Sequence, residues 1–161
     1  MDASQRFFIS IEFIEKNLFN KLSMDIIAQS AAVSTYHYCR IFKAIVGDSV
    51  IEYVRKRRLS EAADLLARTD TSILSIALQC QFESQEAFTR TFKQYFNETP
   101  GKYRKINEPF QLLYKKKFDR QLLEHRKHGL SLQPDIVDKP AMKIIGIPTV
   151  YEYDDFDLMK F

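Results

Sequence analysis

The chain is poor in glycine, with four in 161 residues, and its apolar residues recur over long stretches at helical spacing. Both features favour helices over tight β-turns. Cysteine is scarcer still. Cys39 and Cys80 fall inside helical patterns rather than in a C-x-x-C pair or a loop framework, which predicts free thiols in a reducing cytoplasm. No apolar run approaches the roughly 18 residues that span a bilayer. The opening M-D-A-S-Q-R lacks the basic and apolar regions of a signal peptide. A cytoplasmic location with no membrane partner is expected.

An excess of one charge is also missing, since the formal net charge is only +3. Fifteen Lys and Arg face thirteen Asp and Glu over residues 1–110, six face two over 111–128, and three face six over 129–161. Overall charge is thus a weak argument for a nucleic-acid partner, and the acidic end is a different kind of segment. What is present is a globular composition, 45% hydrophobic and 28% charged, which excludes wholesale disorder. A chain of this length holds one domain, or one plus a fragment of a second.

The apolar stripe Phe8, Ile11, Ile14 and Leu18, widened by Phe7, Phe13 and Phe19, predicts a first helix from about Gln5 to Asn17. Ser23 is the N-cap of a second helix, and Ser34 that of a third, which closes at Gly47. A longer helix runs from about Val50 to Ala67, with Val54, Leu59, Ala62, Ala63 and Leu66 inward. Thr71 or Ser72 opens a fifth and Ser84 a sixth. Thr99-Pro100 opens a short seventh as N-cap followed by proline.

Within this stretch the chain repeats itself. A shift of fifty places Ser34 on Ser84, Tyr38 on Phe88, Arg40 on Arg90, Phe42 on Phe92, Lys43 on Lys93 and Tyr53 on Tyr103. Ile27-Ala28 matches Ile76-Ala77 with one residue slipped. Each copy is a short helix carrying Ile-Ala, a turn, and a capped helix of the form S-x-x-x-[FY]-x-R-x-F-K. That is a helix-turn-helix pattern, in which alanine allows close helix approach and the aromatics hold the second helix from behind. The competing reading is a duplicated helical hairpin whose polar face is merely solvated.

Residues 5–106 resemble the DNA-binding domain of the AraC/XylS family of bacterial transcription regulators, nearest to its Rob, MarA and SoxS branch. The resemblance rests on I-A-Q-S-A-A-V-S-T-Y-H-Y-C-R-I-F-K, on V-R-K-R-R-L-S-E-A-A-D-L-L, and on I-A-L-Q-C-Q-F-E-S-Q-E-A-F-T-R-T-F-K-Q-Y-F-N-E-T-P-G-K-Y-R. It implies an all-α fold of two helix-turn-helix subdomains joined by a long connector helix. Where that family commonly has glycine in each turn, this chain has Ala32 and Gln81, which either avoid positive φ or adopt it at modest cost. Asn97 stands where the first repeat has Gly47 and tolerates a left-handed conformation.

The resemblance further implies double-stranded DNA as partner, read by helices over about 34–46 and 84–96. Candidate base contacts are Tyr36, Cys39 and Arg40 in the first repeat, and Gln85, Glu86, Thr89 and Arg90 in the second. Arginine donates two parallel bonds to guanine, glutamine pairs with adenine, glutamate accepts from cytosine N4, and Tyr36 and Thr89 offer apolar contact to a thymine methyl. Cys39 offers van der Waals contact only. The competing role for Arg40 and Arg90 is an ion pair with a nearby carboxylate, such as Glu86 one turn before Arg90. Candidate phosphate contacts are Ser34, Thr35, Lys43, Ser84, Lys93, Lys102, Arg104 and Lys105. The run Arg55 to Arg58 points in several directions and is expected to pair partly with Glu52, Glu61 or Asp64. A connector of about 18 residues is roughly 27 Å long, suited to the ~34 Å of one DNA turn. An asymmetric site read by a monomer is expected.

Beyond residue 108 the character changes. Residues 109–133 read as a basic linker or helix, with Lys115-Lys116-Lys117 expected to be solvated. Residues 134–161 carry β-type runs at Ile136-Val137 and Met142 to Ile147, and resemble the opening of a GyrI-like effector-binding domain. Only a small part of such a domain's length is present, so no effector ligand is expected to bind. No cofactor, metal site or enzyme activity is expected either. His37, His125 and His128 form no ligand set with the cysteines, glycine phosphate loops and G-x-S-x-G are absent, and Asp154-Asp155-Phe156-Asp157 lacks the glycine and glutamate of a calcium loop. The rival function is a protein-interaction module. RNA polymerase is the partner that the family resemblance suggests for it.

Overall fold

The computed structural model describes residues 3–106 and 113–127, and all regular secondary structure among them is helical. The order is α1 (Ala3–Lys16), α2 (Met24–Ser30), α3 (Thr35–Val46), α4 (Val50–Arg68), α5 (Ile73–Gln79), α6 (Gln85–Phe96), α7 (Pro100–Tyr103) and α8 (Arg120–Lys127). The expected strands at 136–137 and 142–147, with the rest of 134–161, lie outside the described residues.

Helix starts follow the serines. Ser23, Ser34, Ser72 and Ser84 each accept a bond from the backbone N–H three residues on, which satisfies one of the donors that a helix start leaves free. Ser49 and Glu52 form a reciprocal capping box at the start of α4. Thr99 corrects the expectation in part: it occupies the cap position before Pro100, but its hydroxyl makes no cap bond.

Two apolar cores are built on one shared helix. Val50, Tyr53 and Val54 of α4 join α1, α2 and α3 in the first, while Leu59, Ala62, Ala63 and Leu66 join α5, α6 and Tyr103 in the second. The repeat read from the sequence is the repeat of these cores. Tyr38, Phe42 and Tyr53 and their counterparts Phe88, Phe92 and Tyr103 are all buried. From residue 38 to 50 the pattern of buried, half-buried and exposed positions is the same, residue for residue, as from 88 to 100. The copies differ at Tyr38, whose hydroxyl meets buried Ser10 at 2.8 Å. Burial, only partly offset by this bond, pushes that phenol up to about 12.

Within the stretch read as a basic linker or helix, Arg120–Lys127 is helical, and Lys115 departs from the solvated state expected of it. Phe118 and Leu123 enter the first core, and Lys115 pairs with Asp48 at 2.6 Å. Lys116 and Lys117 are exposed as expected.

Both helix-turn-helix turns use the left-handed conformation: φ is 54° at Ala32 and 62° at Gln81, as it is 60° at Asn97. Each turn is closed by two backbone bonds, Ala32 to Gln29 and Val33 to Ala28 in the first, Gln81 to Leu78 and Phe82 to Ala77 in the second. An L-residue in this region costs about 1–2 kcal/mol. Gln81 recovers part of that, because its Nε2 donates to the Phe19 carbonyl at 2.7 Å. Ala32 has no such return. Allowing for glycine's greater loss of chain entropy, Ala32→Gly is expected to stabilise the fold by about 0.5–1 kcal/mol. Gln81→Gly should be near neutral, the relief of strain being offset by a lost hydrogen bond. Paired urea melts of the two variants distinguish these outcomes.

Candidate nucleic-acid interface

The buried stripe of each second helix fixes which residues face outward. In α3, with Tyr38, Phe42 and Val46 inward, Tyr36 and Arg40 are exposed and Cys39 is half-buried. In α6, with Phe88, Phe92 and Phe96 inward, Gln85, Glu86 and Arg90 are exposed and Thr89 is half-buried. Arg40 and Arg90 therefore occupy equivalent positions on two equivalent faces. Among the described residues neither is in an ion pair, and the Glu86–Arg90 pair weighed from the sequence does not form.

The two faces are nonetheless chemically unlike. Tyr36 is 74% exposed, and the Arg40 guanidinium lies over its ring, 5.8 Å from the centroid. That contact restricts a long cationic side chain before any ligand arrives. On α6 the Glu86 carboxylate folds back on the helix start. Its own backbone N–H, then the Ser84 hydroxyl, hold it below the usual glutamate range. It is thus a firm anion and a good acceptor for an exocyclic amine, placed where it would repel phosphate.

The phosphate candidates divide by what they already hold. Lys43, Lys93 and Lys105 are exposed. Lys102 lies 3.8 Å from Glu98 at the surface, a pair of little strength. The Thr35 hydroxyl donates to Asp25 at 2.6 Å, so its hydrogen is committed within the protein. Ser34 accepts from His37 N–H at 3.4 Å, and Ser84 accepts from Ala87 N–H at 3.1 Å. Arg104 turns back to the Thr71 carbonyl, with its Nε buried and unpartnered.

The basic run on α4 is mostly structural. Lys56 pairs with Asp48, Arg57 with Glu15 and Glu61, and Arg58 donates to the Leu18 and Asn20 carbonyls. Glu61 is a partner foreseen from the sequence, whereas Glu15 and Asp48 are not. Arg55 is exposed. Among the described residues no group of His, Cys, Asp and Glu could hold a metal ion, and no helix is long and apolar enough to cross a membrane.

A family profile described as a helix-turn-helix domain matches residues 27–106. The HTH-type transcriptional regulator YbfP of Bacillus subtilis is 46% identical over 101 residues, which is 63% of this chain and 34% of that protein. The HTH-type transcriptional activator AarP of Providencia stuartii is 45% identical over 92 residues, 57% of this chain and 68% of that protein. A crystal structure of an AraC-type DNA-binding transcriptional regulator from Chromobacterium violaceum superposes with a TM-score of 0.60 at 33% identity. It covers 64% of this chain and 92% of that one. The chain matches about a third of the length of YbfP and about two thirds of AarP.

Proposed function

Because the chain belongs to the AraC-type helix-turn-helix family of transcription regulators, we propose that it binds double-stranded DNA sequence-specifically as a monomer, with α3 and α6 in successive major grooves of an asymmetric site. The observation that carries this reading is the pair of exposed arginines, Arg40 and Arg90, at the same register of two equivalent faces and free of ion pairs among the described residues. Tyr36, Cys39, Gln85, Glu86 and Thr89 complete the base-reading set. Lys43, Lys93, Lys105 and the N–H groups at the start of α3 supply phosphate contacts. Ser34, Thr35, Ser84, Lys102 and Arg104 join them only by exchanging or sharing their present bonds.

The unlike faces favour an asymmetric operator. A helix of 19 residues such as α4 is about 28 Å long and spans most of the ~34 Å of a DNA turn. Selection from random duplexes, followed by footprinting, is expected to give two different motifs about one turn apart. A strict inverted repeat with one motif per half counts against this reading. Such a regulator works in the cytoplasm. A contact with RNA polymerase would be additional to DNA binding. It replaces DNA binding only if the Arg40→Ala/Arg90→Ala protein keeps its DNA affinity and salt dependence while losing a protein partner.

The cysteines provide a second check. Cys39 is half-buried on the α3 face, whereas Cys80 is fully buried and burial pushes its thiol up to about 12. A maleimide is expected to modify Cys39 alone in the folded protein, and bound operator should slow that reaction by about ten-fold or more. Undiminished labelling on DNA would remove Cys39 from the interface.

A further inference from the structure

Along α4 the four residues Arg55, Lys56, Arg57 and Arg58 separate Val54 of the first core from Leu59 of the second, and among the described residues the two cores share no buried residue. Both cores are carried by α4, and polar contacts beside that helix add to what it fixes of their mutual orientation. One tie runs through the loop between α1 and α2. Arg58 donates to the Leu18 and Asn20 carbonyls at 2.7 and 2.9 Å. Gln81, from the turn of the second subdomain, donates to the Phe19 carbonyl between them at 2.7 Å.

A second tie is the chain from Leu113 to Phe118. At its start it is held by the second subdomain, where Tyr95 donates to the Leu113 carbonyl at 3.0 Å and the Tyr103 and Tyr114 hydroxyls meet at 3.1 Å. In its middle it is held by the connector. Lys115 N–H donates to Ser60 Oγ at 2.8 Å, and Arg57 donates to the Lys115 carbonyl at 2.9 Å. The Lys115 ammonium reaches Asp48, just before α4, at 2.6 Å. At its end it belongs to the first subdomain. Phe118 N–H donates to the Tyr53 hydroxyl at 2.9 Å, and its ring is buried against Phe7 and Phe8. Six residues thus cross from one core to the other.

We infer that residues 113–118 are a brace that locks the two helix-turn-helix subdomains in one orientation, and that Lys115 and Phe118 thereby act as positioning residues that make half-site spacing part of DNA specificity. This rests on the reading that both α3 and α6 enter DNA. One inserted base pair moves the second groove by ~3.4 Å and turns it by ~34–36°. A braced pair cannot follow that displacement without breaking contacts, whereas a loosened pair can.

The full chain is compared with Lys115→Ala/Phe118→Ala and with Lys115→Ala/Tyr95→Phe, the latter sparing every side chain of the first core. Circular dichroism melts verify that each is folded. In the first arm, spin labels on exposed Gln29→Cys and Gln79→Cys, in a Cys39→Ser background, report the distance between subdomains without DNA. A narrow distribution is expected for the parent and a clearly broader one for both variants. In the second arm, the selected site is re-spaced by one and two base pairs. The parent should lose about ten-fold or more in affinity per inserted pair, and the variants less than about three-fold. Equal distance widths in parent and variants overturn the brace, as do equal spacing penalties. Failure to select any site sinks the DNA reading instead, and leaves the distance arm to decide the brace.

Discussion

Replacing Arg40 and Arg90 together by alanine is expected to remove most of the sequence discrimination while leaving the fold intact. A bidentate arginine–guanine contact is worth about 1–3 kcal/mol. Two such contacts on separate half-sites add to about 2–6 kcal/mol, a loss of roughly thirty-fold to twenty-thousand-fold in specific affinity. Neither side chain is buried or ion-paired among the described residues, so the change in stability should stay within about 0.5 kcal/mol. Each single variant should relax preference at one half-site and preserve it at the other. Lys43→Ala and Lys93→Ala supply the contrast, because a lost phosphate contact weakens all sequences alike and lowers the salt slope by about one. Binding titrations at several salt concentrations, on selected and scrambled duplexes, read both effects. If the double variant still prefers the selected site as strongly as the parent, neither arginine reads bases.

The largest expected effect on stability belongs to Arg57, which touches no proposed ligand. Its guanidinium grips Glu15 with Nε at 3.0 Å and Nη2 at 2.8 Å, bonds Glu61 at 2.8 Å, and donates to the Lys115 carbonyl. The two charged side chains of the main pair are 11% and 9% exposed. Burial alone would lower the Arg57 pKa, but the bonds and charges of Glu15 and Glu61 outweigh it and raise the value. Arg57→Ala strands the Glu15 carboxylate with the Tyr53 hydroxyl, which donates to it at 2.7 Å. Leaving one member of a buried pair uncompensated costs about 3–5 kcal/mol, a large share of the roughly 5–15 kcal/mol that holds a domain folded. Arg57→Lys should recover little, since an ammonium cannot reproduce the fork. Glu15→Met/Arg57→Met should recover much of the loss, because it removes both buried charges together. Urea melts of the parent, Glu15→Met, Arg57→Met and the double variant form the cycle. A loss below about 1 kcal/mol for Arg57→Ala would mean that the network carries little of the fold.

The helices, their serine caps and both cores were legible because their signals are local. A 3.6-residue apolar period and a hydroxyl before it declare a helix within a dozen residues, and the repeat then declares itself twice. The outward positions Tyr36, Arg40, Gln85, Glu86 and Arg90 followed from the inward ones by geometry alone. Arg57 was harder to read. Its sequence neighbours Lys56 and Arg58 carry the same charge, and its main partner, Glu15, lies 42 residues away. Lys115 is a sharper case. Nothing local distinguishes it from Lys116 and Lys117, yet it alone of the three reaches Asp48.

The turns show the same division. Ala32 and Gln81 left two backbone conformations open, because the local preference against positive φ is only about 1–2 kcal/mol. The packing of α2 on α3 and of α5 on α6 outweighs that preference and selects the left-handed form in both. By itself the sequence determined the helical class, the tandem repeat and the two outward faces, since each arises from spacing within a single helix. Tertiary structure alone decided which basic residues are committed within the fold, which conformation the turns adopt, and that residues 113–118 cross between the cores. The long-range part of those outcomes depends on contacts such as those between groups 33 and 65 residues apart, where chain entropy leaves many pairings available and only the packed cores choose among them.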